Sequence, residues 1–277
     1  MKQRFVISLY CMLFGLASLS VSAALGLPRG PRTQEVGQPL TRFSLLQPSA
    51  RIYLRYKIVG DRRETIDMWR RQVSFEVQDG QRRLHIVWNW NSVGDPKFNR
   101  TEDLWFETDT FRPLTVERHL EKDGKVTERG YRYLPDRIES LKTPSGSDQK
   151  DFVQLAKMPA YNWETDMELL QALPLAAGYD VRIPFYEAGP GQDPPQYYDY
   201  KVIGEDRVLS TDGNAIECWV VGIDSSDPQW GPTRMWFRKG TQIMIREETK
   251  LKDGSVFVKM LLPYDVGNDE SIQPHVP

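Results

Sequence analysis

Asp-Gly pairs punctuate this chain, and three of them, Asp79-Gly80, Asp123-Gly124 and Asp253-Gly254, stand between two runs in which apolar and polar residues alternate. Val73, Phe75 and Val77 alternate with Ser74, Glu76 and Gln78. After Asp79-Gly80 come Leu84, Ile86, Trp88 and Trp90, alternating with His85 and Asn89. Asp123-Gly124 separates residues 114–122 from 125–133, and Asp253-Gly254 separates 243–252 from 256–262. Successive side chains of a strand point to opposite faces, so a period of two marks half-buried strands. Gly accepts the positive φ of a tight turn, so Asp-Gly between such runs marks a hairpin. Ile52, Leu54, Tyr56 and Ile58 set the same period from Ala50 onward. The chain is expected to be a mainly β, antiparallel meander.

The meander is written twice. Residues 55–61 read RYKIVGD and residues 199–205 read DYKVIGE. Leu104-Trp105-Phe106 recurs as Met235-Trp236-Phe237. Glu117, Lys122, Asp123 and Gly124 recur as Glu247, Lys252, Asp253 and Gly254. The order is preserved, and the first copy is read with an extra hairpin at Asp79-Gly80. Gly60 and Gly204 are expected to end the opening strands and let the chain turn. The expected fold is mainly β (α+β): a large curved antiparallel sheet or unclosed β-barrel built from two related meanders, with one or two helices packed on its concave side.

The clearest helix lies between the copies. Asn162 is placed to cap it, and Glu164 and Asp166 put negative charge in its first turn, where the helix dipole favours it. Trp163, Met167 and Leu170 share one face, and Pro174 stops the helix. Residues 152–158 read as a second short helix. Residues 178–186 return to strand character. Residues 187–196 hold Gly189, Pro190, Gly191, Pro194 and Pro195 and read as a loop.

The first residues follow a different logic. A basic start at Lys2 and Arg4, an apolar run over 5–19, and Val21-Ser22-Ala23 form the three parts of a cleaved signal peptide. Residues 1–23 are therefore expected to direct the chain to the periplasm and be removed. Cys11 lies mid-run, so a lipid anchor at the cut is not expected. Residues 24–49 read as a linker or N-terminal arm with a helical turn near 43–46. Residues 50–264 read as one half-barrel-like domain and 265–277 as a C-terminal tail. No transmembrane segment is expected in the mature chain.

Removal of residues 1–23 leaves one cysteine, Cys218, so no internal disulfide can form. Cys218 sits in an apolar strand-like run without a His or basic neighbour, as a small buried hydrophobe would. The net charge of −2 falls to about −4 without Lys2 and Arg4, which implies no general affinity for nucleic acid. Three His residues, His85, His119 and His275, stand apart from any Ser or Cys motif. No HExxH, CxxC pair, Gly-x-Ser-x-Gly or phosphate-binding Gly-rich loop is present. No catalytic residue, metal or cofactor is expected.

Large apolar side chains carry more. Trp88 and Trp90 point to one side of a strand, Trp105 and Trp236 hold matching repeat positions, and Met260 and Leu262 continue a strand's apolar face. They are either core packing between sheet and helix, or the lining of an apolar cavity for an acyl chain or lipidated partner. Arg62-Arg63 and Arg70-Arg71, with Arg82-Arg83, are either solvated strand residues or a basic patch.

The signal peptide, the Tyr-x-x-x-x-Gly strand start, the Trp-Phe strands, the Asp-Gly hairpins and the helix from Asn162 to Leu173-Pro174-Leu175 together resemble a group of uncharacterised bacterial periplasmic β-rich proteins. That group is similar in architecture to the lipoprotein-localisation-factor superfamily, an unclosed β-barrel with helices plugging its mouth. The resemblance covers residues 50–262 and carries over no catalytic residue. It implies a non-catalytic periplasmic protein that binds a lipid, an acyl chain or a lipidated partner in envelope and outer-membrane maintenance. The alternative is an envelope scaffold that contacts an outer-membrane or envelope protein through its sheet edge or basic doublets. A third reading is a hydrolase with a carboxylate pair.

Overall fold

A computed structural model describes residues 30–93, 98–141, 152–155, 158–209, 213–224 and 230–263. The expected signal peptide and C-terminal tail, with His275, lie outside the described residues.

Sixteen strands follow one another among the described residues. They are β1 (Arg32–Thr33), β2 (Ser49–Val59), β3 (Arg62–Gln78), β4 (Gln81–Ser92), β5 (Phe98–Glu107), β6 (Pro113–Lys122), β7 (Lys125–Tyr133), β8 (Arg137–Ser140) and β9 (Val153–Leu155). The second half holds β10 (Tyr161–Asn162), β11 (Asp180–Tyr186), β12 (Gln196–Leu209), β13 (Ala215–Ile223), β14 (Trp230–Arg238), β15 (Met244–Leu251) and β16 (Val256–Leu261). One α-helix, α1 (Asp166–Gln171), and two 3₁₀ turns (Phe43–Leu45, Trp163–Thr165) complete the set.

All strands belong to one open sheet. Its order is β1-β11-β12-β13-β14-β15-β16-β2-β3-β4-β5-β6-β7-β8-β9, with β10 also beside β11. Two meanders, β11 to β16 and β2 to β9, are thus joined where the last strand of one pairs with the first strand of the other. Val258 stands opposite Tyr56 at that seam. Only five residues separate β9 from β10 along the chain. Six chain steps cannot exceed about 22 Å, so β9 at one end stays near β10 at the other. The sheet is an unclosed barrel by this geometry.

The two Trp-Phe strands share one backbone detail. In β5 the register to β6 shifts between Trp105 and Phe106, and in β14 the register to β15 shifts between Trp236 and Phe237. Both bulges fall at the same place in the shared motif. Asp79-Gly80 and Asp123-Gly124 both adopt positive φ, at 53° and 73° and at 52° and 73°, which is the two-residue turn of a right-twisted hairpin. At the third pair only Gly254 is positive, at 81°, and Asp253 Oδ1 instead accepts from the Ser255 amide at 3.0 Å. Two details of the expected repeat need correction. The first copy has three strands (β2, β3, β4) before its Trp-Phe strand and the second has two (β12, β13), so the insertion is one strand and not a hairpin. Gly60, at φ 59°, does end β2, but Gly204 lies inside β12 at a bulge.

Helix α1 fills the barrel. Asn162 Oδ1 accepts from the Glu164 amide at 2.8 Å, but it caps the 3₁₀ turn Trp163–Thr165 and not the helix, which starts later than expected, at Asp166, with no side-chain cap from Thr165. Met167, Glu168, Leu169, Leu170 and Gln171 are all buried, so the helix is enclosed on every side. Leu84, Ile86, Leu104 and Phe106 from one meander and Tyr200, Val221, Met235 and Phe237 from the other meet Met167, Leu169 and Leu170 in a single core.

Two further expectations are changed in detail. Within the expected linker or N-terminal arm of residues 24–49, β1 pairs with β11, the expected turn of helix is the 3₁₀ turn Phe43–Leu45, and Leu40, Phe43 and Leu46 are buried in the main core. Their spacing of three suits a 3₁₀ turn, which leaves no period of two to read. The segment read as a second short helix contains β9, whose pairing with β8 supplies its backbone partners.

Candidate functional site

The inner face of the sheet carries charge as well as apolar bulk. Arg51, Arg71, Trp88, Glu102, Arg118 and Arg129 stand directly opposite one another across β2 to β7. Directly opposed residues share a face, so they form one row across the sheet. Arg71 and Glu102 are fully buried and Arg118 nearly so. Arg71 pairs with Glu168 of α1 through Nε to Oε1 at 2.8 Å and Nη2 to Oε2 at 2.6 Å. Burial opposes the Arg71 charge, but Glu168 outweighs it and the net shift is upward.

Beside this row, Arg100 of β5 extends over the rings of Trp88 and Trp90 at 5.1 and 5.7 Å. Its guanidinium reaches Glu102, and Glu164 at 3.1 Å. Arg118 Nε lies 2.5 Å from Glu102 Oε1. Burial pushes the Glu102 carboxyl up, and Arg118 and Arg100 offset that only in part. A second buried group lies nearer the seam. Lys259 Nζ meets Glu247 at 2.7 Å, Arg55 pairs with Asp67, and burial drives Asp166 at the start of α1 up to about 7.

The six candidate cavity residues do not converge. Trp88 is fully buried and stacks on Trp69 with centroids 5.0 Å apart. Trp90 shares that inner face, with the Arg55 guanidinium 4.0 Å from its ring. Trp105 lies on the opposite face, stacked on His85 at 4.0 Å. Trp236 also faces away from the main core, in a smaller cluster with Val208, Cys218, Val220 and Ile245, and its Nε1 donates to Asp206 at 2.9 Å. Met260 stands opposite Arg246, which stands opposite Trp236, so it too is on that outer face. Leu262 follows β16 and its amide donates to the Ile52 carbonyl at 2.8 Å. Three consecutive apolar residues such as 104–106 and 235–237 conceal which of them points inward, and the middle Trp points out in both.

The basic doublets do not form one patch. Arg62 and Arg63 are exposed at the start of β3, whereas Arg71, eight residues along the same strand, is buried against Glu168. At about 3.3 Å per residue that is about 26 Å away. Arg82 is exposed, over the Phe75 ring at 4.4 Å. Cys218 is buried and burial pushes its thiol up to about 11, which removes its nucleophilic character near neutral pH.

A cavity among the described residues lies elsewhere. It has a volume of about 390 Å³ and opens between the N-terminal arm, the β5–β6 turn, the β7–β8 turn and Pro159-Ala160. Val36, Pro113, Leu134, Pro135, Ile138 and Ala160 make its walls apolar, and Tyr133 lines it as well. Glu107 and Arg112, paired with each other, supply the charge at its edge. The volume lies within the range of small-ligand sites, about 300–1,000 Å³. Nothing in the sequence marked it, because its walls come from turns and from the arm. Among the described residues no group of acidic, His and Cys side chains could hold a metal, and no helix is long and apolar enough to cross a membrane.

Solved structures that match the chain include a β-barrel-like protein of the domain of unknown function DUF1849 from Brucella abortus. It is 11% identical, covers 79% of this chain and 100% of its own, and superposes with a TM-score of 0.44. A DUF1329 family protein from Desulfovibrio piger is 15% identical over 86% of this chain and 98% of its own, with a TM-score of 0.27. A LolA superfamily protein from Nitrosomonas europaea is 10% identical over 80% and 91%, with a TM-score of 0.20. No curated protein matches the chain. Residues 54–262 match the family described as protein of unknown function (DUF3108), and the chain belongs to that family.

Proposed function

We propose that this is a non-catalytic periplasmic protein that binds a lipid, an acyl chain or a lipid-modified partner, in the service of the cell envelope. The observation that carries the reading is the cavity of about 390 Å³ with apolar walls at one end of the unclosed barrel. Burial of apolar surface drives such binding without any need for a reactive group. The N-terminal pattern of residues 1–23 supports the location. The buried acids Glu102 and Glu168 and the partly buried Glu164 each lie against a guanidinium, which suits a binding scaffold better than a pair of facing carboxyls poised for hydrolysis.

Native mass spectrometry of protein purified from membranes tests this reading. A co-purifying lipid, or uptake of added fatty acid, is the expected result. Val36→Trp, which places an indole in the cavity from the arm, should abolish the uptake while leaving the fold intact. A clean protein mass with no fatty-acid uptake would overturn the reading.

A further inference from the structure

One arginine in the cavity wall is held in place and still has donors to give. Arg112 lines the cavity together with Glu107. Its Nη2 donates to Glu107 Oε1. Its Nη1 has no hydrogen-bond partner among the described residues, and neither has its enclosed Nε. The Arg112 side chain is 42% exposed, so an incoming group can reach the guanidinium.

Glu107 does not cancel the positive charge around it. Arg83 Nη1 lies 3.9 Å from the same Oε1, and Thr110 Oγ1 donates to Oε2 at 3.2 Å. Two guanidiniums thus share one carboxylate. Asp109, in the same turn, is exposed and makes no ion pair among the described residues. Three more acids adjoin wall residues in sequence, and each is engaged elsewhere. The Tyr197 hydroxyl donates to Glu35 at 3.1 Å, and Arg137 pairs with Asp136 and Glu139 at 3.0 Å each.

The turn that presents Arg112 is strained. Asp109 and Phe111 adopt positive φ, at 65° and 55°, which a bulky side chain rarely does. Packing enforces it. Phe111 is fully buried and stacks on Phe106 with centroids 4.5 Å apart. The Asp109 carbonyl accepts from the Leu40 amide at 2.8 Å, and the Arg112 carbonyl accepts from the Glu107 amide at 2.9 Å. Such strain persists only where the surroundings over-determine it, and it collects at ligand sites. Here it fixes the residue whose free guanidinium donor stands beside apolar walls.

We propose that Arg112 receives the carboxylate head of a single-chain amphiphile whose chain lies against Val36, Pro113, Leu134, Pro135 and Ile138. The inference rests on the cavity reading above and names its ligand class. A guanidinium presents parallel N–H donors that match the two oxygens of a carboxylate. The excess of one positive charge over Glu107 is what a carboxylate balances. A cationic head would meet two guanidiniums, and a hydroxyl head would gain no ionic partner. The volume of about 390 Å³ lies near the lower end of small-ligand sites, which suits one chain.

Isothermal titration of the full chain with laurate, dodecanol, dodecylammonium and acetate tests the proposal, on the natural protein and on Arg112→Gln. Laurate should bind most tightly and dodecylammonium more weakly than dodecanol. Arg112→Gln should weaken laurate by about tenfold, a factor equal to about 1.4 kcal/mol, and leave dodecanol unchanged. Equal affinity for laurate and dodecanol in the natural protein would overturn the head-group site while leaving the cavity reading intact. An equal loss of laurate and dodecanol in Arg112→Gln would overturn it as well, since Arg112 would then act only as part of the wall. Acetate binding as tightly as laurate would describe an anion site without a chain and overturn it too. Binding of neither laurate nor dodecanol would remove both readings. The ligand series on the natural protein needs no variant, and a circular dichroism spectrum of Arg112→Gln matching the natural protein's confirms its fold.

Discussion

Arg71 on β3 and Glu168 on α1 form a two-pronged ion pair with both side chains out of solvent, at 1% and 4% exposure. Arg71 Nη2 also donates to the Glu164 carbonyl at 3.1 Å, so one guanidinium holds the helix and the turn before it. Each charge is tolerable only because the other is present. Arg71→Met alone should destabilise by about 3–5 kcal/mol, because it strands Glu168 in the core. The double variant Arg71→Met/Glu168→Leu should recover most of that loss. Urea unfolding of the two singles and the double closes the cycle. A double variant as unstable as the sum of the singles would show that the two side chains act independently, and would overturn the stranded-charge account.

The far end of the helix is held by Gln242, in the turn before β15. The last carbonyls of a helix lack partners within it. Gln242 Nε2 donates to the carbonyls of Gln171 at 3.0 Å and Leu173 at 2.5 Å, while its Oε1 accepts from Arg42 of the arm. Gln242 is fully buried and adopts φ 53°, so the backbone there is strained to aim the amide. Gln242→Ala should cost about 2–4 kcal/mol by orphaning two buried carbonyls. Gln242→Asn tolerates the positive φ but is a methylene too short, so it should be nearly as damaging. A loss below 0.5 kcal/mol for either in urea titration would mean the helix end is satisfied some other way.

These two contacts also mark how far the sequence could be read. The strands were legible because Ile52, Leu54, Tyr56 and Ile58, or Leu84, Ile86 and Trp88, keep a period of two. The hairpins were legible because Asp-Gly has a stereochemical reason to turn. The phase of the alternation was harder. Arg70-Arg71 offers no local sign of which arginine points inward, since the answer depends on Glu168, which is 97 residues away. Glu102, Arg118 and Lys259 likewise look like solvent-facing strand positions until α1 and the facing wall surround them. The cavity was illegible for a related reason: Val36, Leu134 and Pro159 come from turns with no period, brought together only by closure of the barrel.

On the outer face, His85 bridges three strands. Its Nδ1 lies 2.7 Å from Glu76 on β3 and its Nε2 lies 3.0 Å from Asp103 on β5, with its ring stacked on Trp105. Burial disfavours the imidazolium, but the hydrogen bonds and charges of Asp103 and Glu76 outweigh it, and the pKa rises above its ordinary 6.5. A pKa raised in the folded state adds stability that is complete below the unfolded value of about 6.5 and is lost as pH rises through the folded one. Stability should therefore decline above about pH 6.5 in the natural protein and more weakly in His85→Gln. Parallel pH profiles for the two proteins in urea would refute a charged bridge. Substitution of Glu76 or Asp103 by its amide should lower the His85 pKa, as read from its ring proton shifts by NMR.

Asp166 predicts a second, separable pH dependence. It opens α1, where the helix dipole should favour a carboxylate. Burial acts more strongly in the opposite direction. Lys259 offsets it in part, Glu247 and Glu168 add to it, and the carboxyl is pushed from its ordinary 3.8 up to about 7. The folded protein thus keeps a proton that the unfolded chain releases near pH 4, and stability falls as pH rises toward and through about 7. This contribution is complete below about pH 4, whereas that of His85 begins to fail only above about 6.5. Asp166→Asn mimics the protonated acid at every pH. It should leave stability at pH 4 nearly unchanged, raise it relative to the natural protein at pH 8, and flatten the slope between pH 5 and 7. Carrying out the comparison in the His85→Gln background removes the overlapping titration. Equal slopes with and without Asp166 would show that Lys259 keeps this carboxylate ionised, and that the acids around it do not compete for its proton.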